Sequence, residues 1–219
     1  MRIVICDDHR LLLEALATAL AGRGYTVEAA TTTPGEAMQA VALHDPDLLL
    51  IDVNFPTASG LEAARQVTLR HPRTKVVIFT GDDSPEPLVE ALRIGVAGYT
   101  RKEQPIQSIA KVLDAAARGE AAVDPEMLRR VKSSPSPVPR QRSAVDGLTP
   151  REQHVLALLV DGLDTQQIVK RLGVSQSTVR THVQNILSKL GVHSRLQAVA
   201  ALEFDGPLER PDDAYASAD

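Results

Sequence analysis

Apolar and polar positions along the first 120 residues switch repeatedly between two periods. Arg2–Cys6 is a short β-branched run, and from His9 to Ala21 the residues Leu12, Leu13, Leu16 and Leu20 fall at helical spacing. Gly22 and Gly24 punctuate the chain before Tyr25–Ala30, a second strand candidate. Pro34–Leu43 reads as a helix entered at Thr33, with Pro34 in its first turn and Glu36 near the positive end of its dipole. Strand-like Asp47–Ile51, Lys75–Thr80 and Ala97–Tyr99 then alternate with helix-like Gly60–Arg70, Pro85–Arg93 and Pro105–Arg118. Strands that are continuously apolar must be covered on both faces, which amphipathic helices between parallel strands achieve. The prediction is an α/β domain over residues 1–120, a doubly wound five-stranded parallel sheet.

Beyond residue 120 the pattern changes. Asp124–Val131 reads as a short helix, and Ser133-Ser134-Pro135-Ser136-Pro137-Val138-Pro139-Arg140 as an extended linker, so that a connector spans 121–147. Residues 148–204 are helical throughout. Thr149, Pro150 and Glu152 form a capped start, and Val155, Leu156, Leu158 and Leu159 line one side of a helix that stops at Asp161-Gly162. A second helix, Thr165–Leu172, is predicted to bury Ile168, Val169 and Leu172; the turn Gly173-Val174-Ser175 follows. Ser175 caps a third helix, Gln176–Leu190, whose apolar stripe is Val179, Val183, Ile186, Leu187 and Leu190; Ser194–Phe204 is a fourth. Two short helices across a glycine turn, with polar residues outside on the second, make a helix-turn-helix, a pattern that a plain four-helix bundle shares. Residues 205–219 are acidic and interrupted by proline, the composition of a disordered tail.

Composition narrows the function. Aromatics are 3% of the 219 residues and Trp is absent, so the core has to be aliphatic. The single cysteine excludes an internal disulfide and a Cys-rich zinc site, and its place in the run Ile3-Val4-Ile5-Cys6 favours a buried, inert thiol. No stretch approaches the ~20 apolar residues that cross a bilayer, and Asp7-Asp8 interrupt the first apolar run, so a cytoplasmic protein with no membrane partner is expected. The net charge of −4 conceals an asymmetry: 147–204 carries two more basic than acidic residues, whereas 205–219 carries four more acidic than basic. A mild excess of that size does not establish nucleic-acid binding; motifs have to.

Candidate chemistry sits at the predicted strand ends. Asp7 and Asp8 follow the first strand, Asp52 the third, Thr80 closes the fourth, and Lys102 follows the fifth. In an open parallel sheet, ligands bind outside the carboxyl ends of the strands, so these residues converge on one edge. Three carboxylates there repel unless a cation joins them, and hard oxygen donors with open positions suit Mg²⁺. Each residue alone has a plain reading as a cap or a solvated loop; their joint placement points to phosphoryl chemistry at Asp52.

With these motifs in view, residues 1–120 resemble the response-regulator receiver domain, through Asp7-Asp8, Asp52-Val53-Asn54-Phe55-Pro56 with Gly60, Thr80-Gly81, and Gly98-Tyr99-Thr100-Arg101-Lys102. The resemblance implies that Asp52 is phosphorylated, that Asp7, Asp8, Asp52 and the backbone carbonyl of Asn54 serve Mg²⁺, and that Lys102 pairs with phosphoryl oxygens. It implies also that Thr80 swings toward the phosphoryl group with Tyr99 following inward, and that Gly81 fills a place that needs a small residue. Thr100-Arg101 departs from the family, which more often has apolar residues before the lysine.

Residues 148–204 resemble the LuxR-type DNA-binding domain of the NarL/FixJ subfamily. The match runs through Leu148-Thr149-Pro150-Arg151-Glu152, Gln167-Ile168, Leu172-Gly173-Val174-Ser175, Thr178-Val179-Arg180-Thr181-His182-Val183 and Ile186-Leu187 with Lys189-Leu190-Gly191. By that resemblance Gln176–Leu190 enters the major groove, with Arg180, Thr181 and Gln184 toward base edges. Ser175, Thr178, His182 and Lys189 face the backbone or hold the helix; His182 reads equally as a packing or capping residue. A basic residue is usual where Gln184 stands. The implied partners are DNA, a sensor histidine kinase and a second copy of the chain, in a two-component system controlling transcription. The protein is expected not to be an enzyme beyond accepting, and itself hydrolysing, a phosphoryl group. Two other classes compete. A phosphatase of this topology would carry a second Asp two residues after its nucleophile, where Asn54 stands. A sensor in which a small ligand replaces phosphate would lack a use for the acidic set.

Overall fold

The computed structural model describes residues 1–82, 84, 86–123 and 147–205, with side chains through residue 201. The chain divides into two compact units, Met1–Asp124 and Pro125–Asp219.

The first unit alternates β1 (Arg2–Cys6), α1 (Arg10–Ala21), β2 (Thr26–Thr31), α2 (Pro34–His44), β3 (Leu48–Ile51), α3 (Gly60–Arg70), β4 (Lys75–Thr80), α4 (Glu86–Ile94), β5 (Gly98–Arg101) and α5 (Ile106–Ala117). The strands form one parallel sheet in the order β2-β1-β3-β4-β5. Chain order reverses between β1 and β3, the crevice where such sheets place their ligands. Every residue of β3 is buried, as a central strand covered on both faces requires. Ile3, Ile5, Leu48, Leu50, Val77 and Phe79 project to one face and pack with Leu13, Leu16 and Leu20 of α1 and Ile109, Leu113 and Ala116 of α5. The alternate residues Val4, Leu49, Ile51, Val76 and Ile78 are equally buried, and α2, α3 and α4 contribute Ala37, Val41, Ala64, Val67, Leu88 and Leu92.

Differences from the hydropathy reading have identifiable causes. β5 covers Gly98–Arg101 instead of Ala97–Tyr99, because ladder hydrogen bonds carry it through the polar pair Thr100-Arg101, opposite Phe79 and Thr80. β2 starts after Tyr25, whose ring is buried and whose hydroxyl donates to the Ala110 carbonyl and to Asp114 Oδ1 on α5. Burial, then the hydrogen bond to Asp114, pushes the pKa of that phenol up. The Cys6 thiol is buried and pushed up to about 12, chiefly by that burial, so it stays protonated and inert.

The second unit consists of α6 (Pro150–Val160), α7 (Thr165–Leu172), α8 (Gln176–Leu190) and α9 (Arg195–Asp205). Its helix starts carry their own signals: Thr149 with Glu152, and Asp164 with Gln167, close reciprocal capping boxes, while Ser175 accepts from the Thr178 amide. Gly173 and Gly191 end α7 and α8 in the left-handed region, at φ 64° and 65°. Val155, Leu156, Leu159, Ile168, Val179, Val183, Ile186, Leu190, Leu196 and Val199 make the core. Val169, Leu172 and Leu187 are only half-buried. A helix of two turns has room for one strip against the core, and on α7 that strip is Thr165 and Ile168.

The helix expected at Asp124–Val131, the linker at 133–140 and the tail beyond Asp205 lie outside the described residues; Asp205 itself closes α9. Among the described residues no helix is long and apolar enough to cross a membrane.

Candidate functional site

The sheet register brings the strand ends level. Cys6 stands opposite Ile51, Ile51 opposite Ile78, and Thr80 opposite Arg101. The ladder extends one residue past three of the strands: the Asp7 amide donates to the Thr31 carbonyl, Asp52 to Cys6, and Lys102 to Thr80. Asp7, Asp52, Thr80 and Lys102 are thereby fixed on one edge by backbone bonds before any side-chain contact forms.

The side chains then close on one ammonium. Lys102 Nζ stands 2.6 Å from Asp7 Oδ2 and 2.7 Å from Asp52 Oδ2. Asp7 and Asp52 are 1% and 4% exposed, so neither charge is relieved by bulk water. The second Asp52 oxygen accepts from the Val53 amide at 2.7 Å, and Asp7 Oδ1 accepts from the His9 amide at 2.9 Å. Burial works to lower the Lys102 pKa, but hydrogen bonds to Asp52 and Asp7 outweigh it and raise the value, so the ammonium stays charged across neutral pH. Thr80 is fully buried with Oγ1 accepting from the Asp82 amide, and the Tyr99 ring is fully buried.

Around this centre lies an open cleft of about 500 Å³, lined by Asp8, His9, Asp52, Asn54, Phe55, Pro56, Gly81, Asp82 and Lys102. Donor atoms of Asp7, Asp8 and His9 lie within 4.8 Å of one another, close enough to share a metal ion. Asp8 faces the cleft at 27% side-chain exposure, so one carboxylate of the cluster retains access to solvent. A half-open set of carboxylate oxygens fits an ion that keeps part of its water, as Mg²⁺ does. Asn54 lines the cleft, bridges to Ser59 across the loop, and its side chain hydrogen-bonds Asp82.

Two features here were not read from the sequence. His9 Nδ1 lies 3.1 Å from Asp7 Oδ1 and 2.9 Å from Asp8 Oδ1, a nitrogen beside the oxygen donors; its place directly after Asp7-Asp8 was the available signal. Gly60 had entered only as part of a motif, and its physical reason is close approach. A Cβ at Gly60 would stand 1.7 Å from the Asp52 carbonyl oxygen. Gly81, by contrast, would bring a Cβ to 3.3 Å from Glu103 Oε1 and 3.9 Å from Lys102 Cδ, side chains that can give way.

On the second unit, α8 presents Ser177, Arg180, Thr181, Gln184, Asn185 and Ser188 to solvent, opposite buried Val179, Val183, Ile186 and Leu190. Of the residues singled out on this helix, Arg180 and Gln184 are exposed and have no hydrogen-bond partner among the described residues. Thr181 Oγ1 donates to the Ser177 carbonyl, Ser175 and Thr178 share a hydroxyl hydrogen bond at the cap, and His182 is half-buried. Lys189 is engaged elsewhere, its Nζ 2.6 Å from Glu152 Oε2. It holds α8 to α6.

That pair has a measurable consequence. The Lys189 hydrogen bond holds the Glu152 carboxyl below the usual range; burial opposes this, and the Thr149 amide and hydroxyl reinforce it. A depressed pKa contributes stability that is present above the unfolded-state value and lost as pH falls through the folded-state value. Hydrogen-exchange protection of α6 and α8 is therefore expected to hold at neutral pH and to decline below about pH 4.5, the unperturbed glutamate region. Lys189→Met should lower that protection at pH 7 by about 1–3 kcal/mol, since the buried carboxylate loses its cation. Equal protection in the variant would show that the pair contributes nothing.

Comparison with known proteins gives a consistent result on both units. Residues 3–114 match the response regulator receiver domain, and residues 146–202 match the bacterial regulatory proteins of the luxR family. The chain is 32% identical over 215 residues to the transcriptional regulatory protein DegU of Brevibacillus brevis, covering 91% of each. It is 30% identical over 201 residues to the nitrate/nitrite response regulator protein NarL of Escherichia coli strain K12, covering 90% of this chain and 92% of that one. A crystal structure of the response regulator ChrA, from a heme-sensing two-component system, superposes with a TM-score of 0.51 at 27% identity, over 91% of this chain and 94% of that one.

Proposed function

Because the chain belongs to the two-component response regulators that join a receiver domain to a LuxR-type DNA-binding domain, we propose that phosphorylation of Asp52 controls DNA binding through α8. The observation that carries this reading is the single Lys102 ammonium held between buried Asp7 and Asp52. A cation there can remain bound to oxygen when the charge on residue 52 changes from carboxylate to acyl phosphate.

The Asp52 carboxylate oxygen attacks phosphorus on the donor, a phosphohistidine of a sensor kinase or a small acyl phosphate. The donor's bond to phosphorus breaks, its electron pair leaves with the donor, and an acyl phosphate remains on Asp52. Asp7, Asp8, Asp52 and the Asn54 carbonyl would hold Mg²⁺, which when bound neutralises oxygen charge on the transferring group. Lys102 pairs with a phosphoryl oxygen, and the Thr80 hydroxyl donates its proton to another. Tyr99 and the adjoining α4–β5 face reorganise with Thr80. No substrate other than the donor is turned over.

In domain terms, we assign the receiver to 1–120, the connector to 121–147, the DNA reader to 148–204 and the acidic tail to 205–219. On the reader, Arg180, Thr181 and Gln184 face base edges, while Ser175, Thr178 and His182 sit against the backbone and Lys189 holds the helix. The partners are a sensor histidine kinase, duplex DNA and, in the active form, a second copy of this chain; a cytoplasmic location fits all three.

A gel-shift titration on a promoter fragment tests the control claim. Binding should tighten with acetyl phosphate and Mg²⁺ present. Binding indifferent to the donor would favour a ligand-controlled sensor, and no binding in either condition would favour an enzyme. Arg180→Ala tests the reader, and should relax preference at one guanine by about 1–3 kcal/mol, the value of a bidentate arginine contact. Preference retained by the variant would remove Arg180 from that role.

A further inference from the structure

The cations of the DNA-binding unit are few, and the structure shows how most are occupied. Residues 147–205 contain six Lys and Arg: Arg151, Lys170, Arg171, Arg180, Lys189 and Arg195. Lys189 is committed to buried Glu152 at 2.6 Å. Arg195 is 7% exposed and donates to Thr165 Oγ1 at 3.0 Å. Arg151 donates to the Leu172 carbonyl at 3.3 Å, closing the end of α7. Four cations are exposed, and with Lys189 paired to Glu152 three of them are uncommitted: Lys170 and Arg171 in the last turn of α7, and Arg180 on α8.

The outer strip of α8 is otherwise neutral. Ser177, Thr181, Gln184 and Ser188 follow one another at helical spacing, and Arg180 stands one turn before Gln184. Side chains four apart on a helix reach neighbouring points, so a base contacted from Gln184 lies within a step or two of one contacted from Arg180. The glutamine carboxamide pairs with adenine through both its ends, its carbonyl accepting from N6 and its NH2 donating to N7, whereas a lysine or arginine would choose guanine or a phosphate. Gln184 is exposed and has no hydrogen-bond partner among the described residues, so neither end of its amide is already in use.

We infer that Gln184 is a specificity-determining residue reading an adenine beside the guanine read by Arg180, in a domain that offers phosphates few cations. The inference rests on the DNA-binding reading above and adds the base, the residue and the salt behaviour. With Arg180 given to a base and Lys189 paired to Glu152, two exposed and unpaired cations, Lys170 and Arg171, remain per domain for phosphates. Each phosphate neutralised contributes about −0.9 to the slope of log K against log salt.

The test uses the full chain with acetyl phosphate and Mg²⁺, on duplexes selected from a randomised pool and then remade with single base changes. Wild type is expected to enrich a guanine with an adenine one or two base pairs away. Gln184→Ala should lower the preference for that adenine roughly 5- to 150-fold, leaving the guanine preference and salt slope unchanged. Gln184→Lys should lose the adenine preference as well and steepen the slope by as much as about 0.9 per protomer. Adenine preference surviving in Gln184→Ala overturns this inference alone. A wild-type protein that enriches no sequence overturns the DNA-binding reading together with it.

Discussion

Lys102→Met is expected to destabilise the receiver by about 3–5 kcal/mol in metal-free buffer, the range for removing one partner of a buried ion pair. The size follows from what remains. Asp7 and Asp52 are 1% and 4% exposed, and both have an oxygen within 2.7 Å of Lys102 Nζ. Methionine keeps much of the apolar stem but removes the ammonium, which also stands 5.8 Å from the Phe79 ring centre, and leaves two carboxylates without their cation in a poorly solvated place. Each then gains from a bound cation. Urea melts at pH 7 should therefore show the deficit shrinking with millimolar Mg²⁺, which should stabilise the variant more than the wild type. A variant as stable as wild type without metal would mean that the ammonium is not what holds these charges together.

Gly60→Ala should be as damaging for a different reason. Gly60 does not occupy the left-handed region; its requirement is the space above the Asp52 carbonyl. An added Cβ would stand 1.7 Å from that oxygen and 2.8 Å from its carbon, so backbone has to move by more than an ångström. Both sides of the contact are tied. The Gly60 amide donates to the Val53 carbonyl, and the Asp52 amide donates to Cys6. Overpacking ordinarily costs about 1–3 kcal/mol; with backbone on both sides we expect about 3 kcal/mol or more. The displaced residue is the proposed acceptor, so donor-dependent modification should fall along with stability. Gly35→Ala is the control. Its Cβ meets nothing within 4 Å, its φ is not positive, and the change should be neutral or stabilising by up to about 1 kcal/mol. Equal behaviour of the two variants in a thermal melt would refute the close-approach argument.

What could be read from the residue string was what local chemistry controls. Continuous apolar runs gave the parallel sheet, since Leu48–Ile51 has no polar side to show water. Thr149 with Glu152, and Ser175 before Gln176, marked helix starts that the structure reproduces to the residue. Asp7, Asp52 and Lys102 converge as expected because residues at parallel strand ends need no side-chain detail to be placed. What escaped depends on contacts distant in sequence. Hydropathy stopped the fifth strand at Tyr99, but hydrogen bonds to β4 carry it on to Arg101. Nothing near Lys189 announces that its partner is Glu152, thirty-seven positions away. Gly60 could be matched as a motif, yet its reason is a carbonyl eight residues earlier brought back by the loop.

The most direct measurement is the intact mass of the full chain after incubation with acetyl phosphate and Mg²⁺, for wild type and Asp52→Asn. One phosphoryl adduct on wild type, removed by hydroxylamine as acyl phosphates are and absent from the folded Asp52→Asn variant, is the predicted result. An adduct of the same mass and yield on both proteins would contradict the assignment of Asp52 and, with it, the control of DNA binding that depends on that carboxylate.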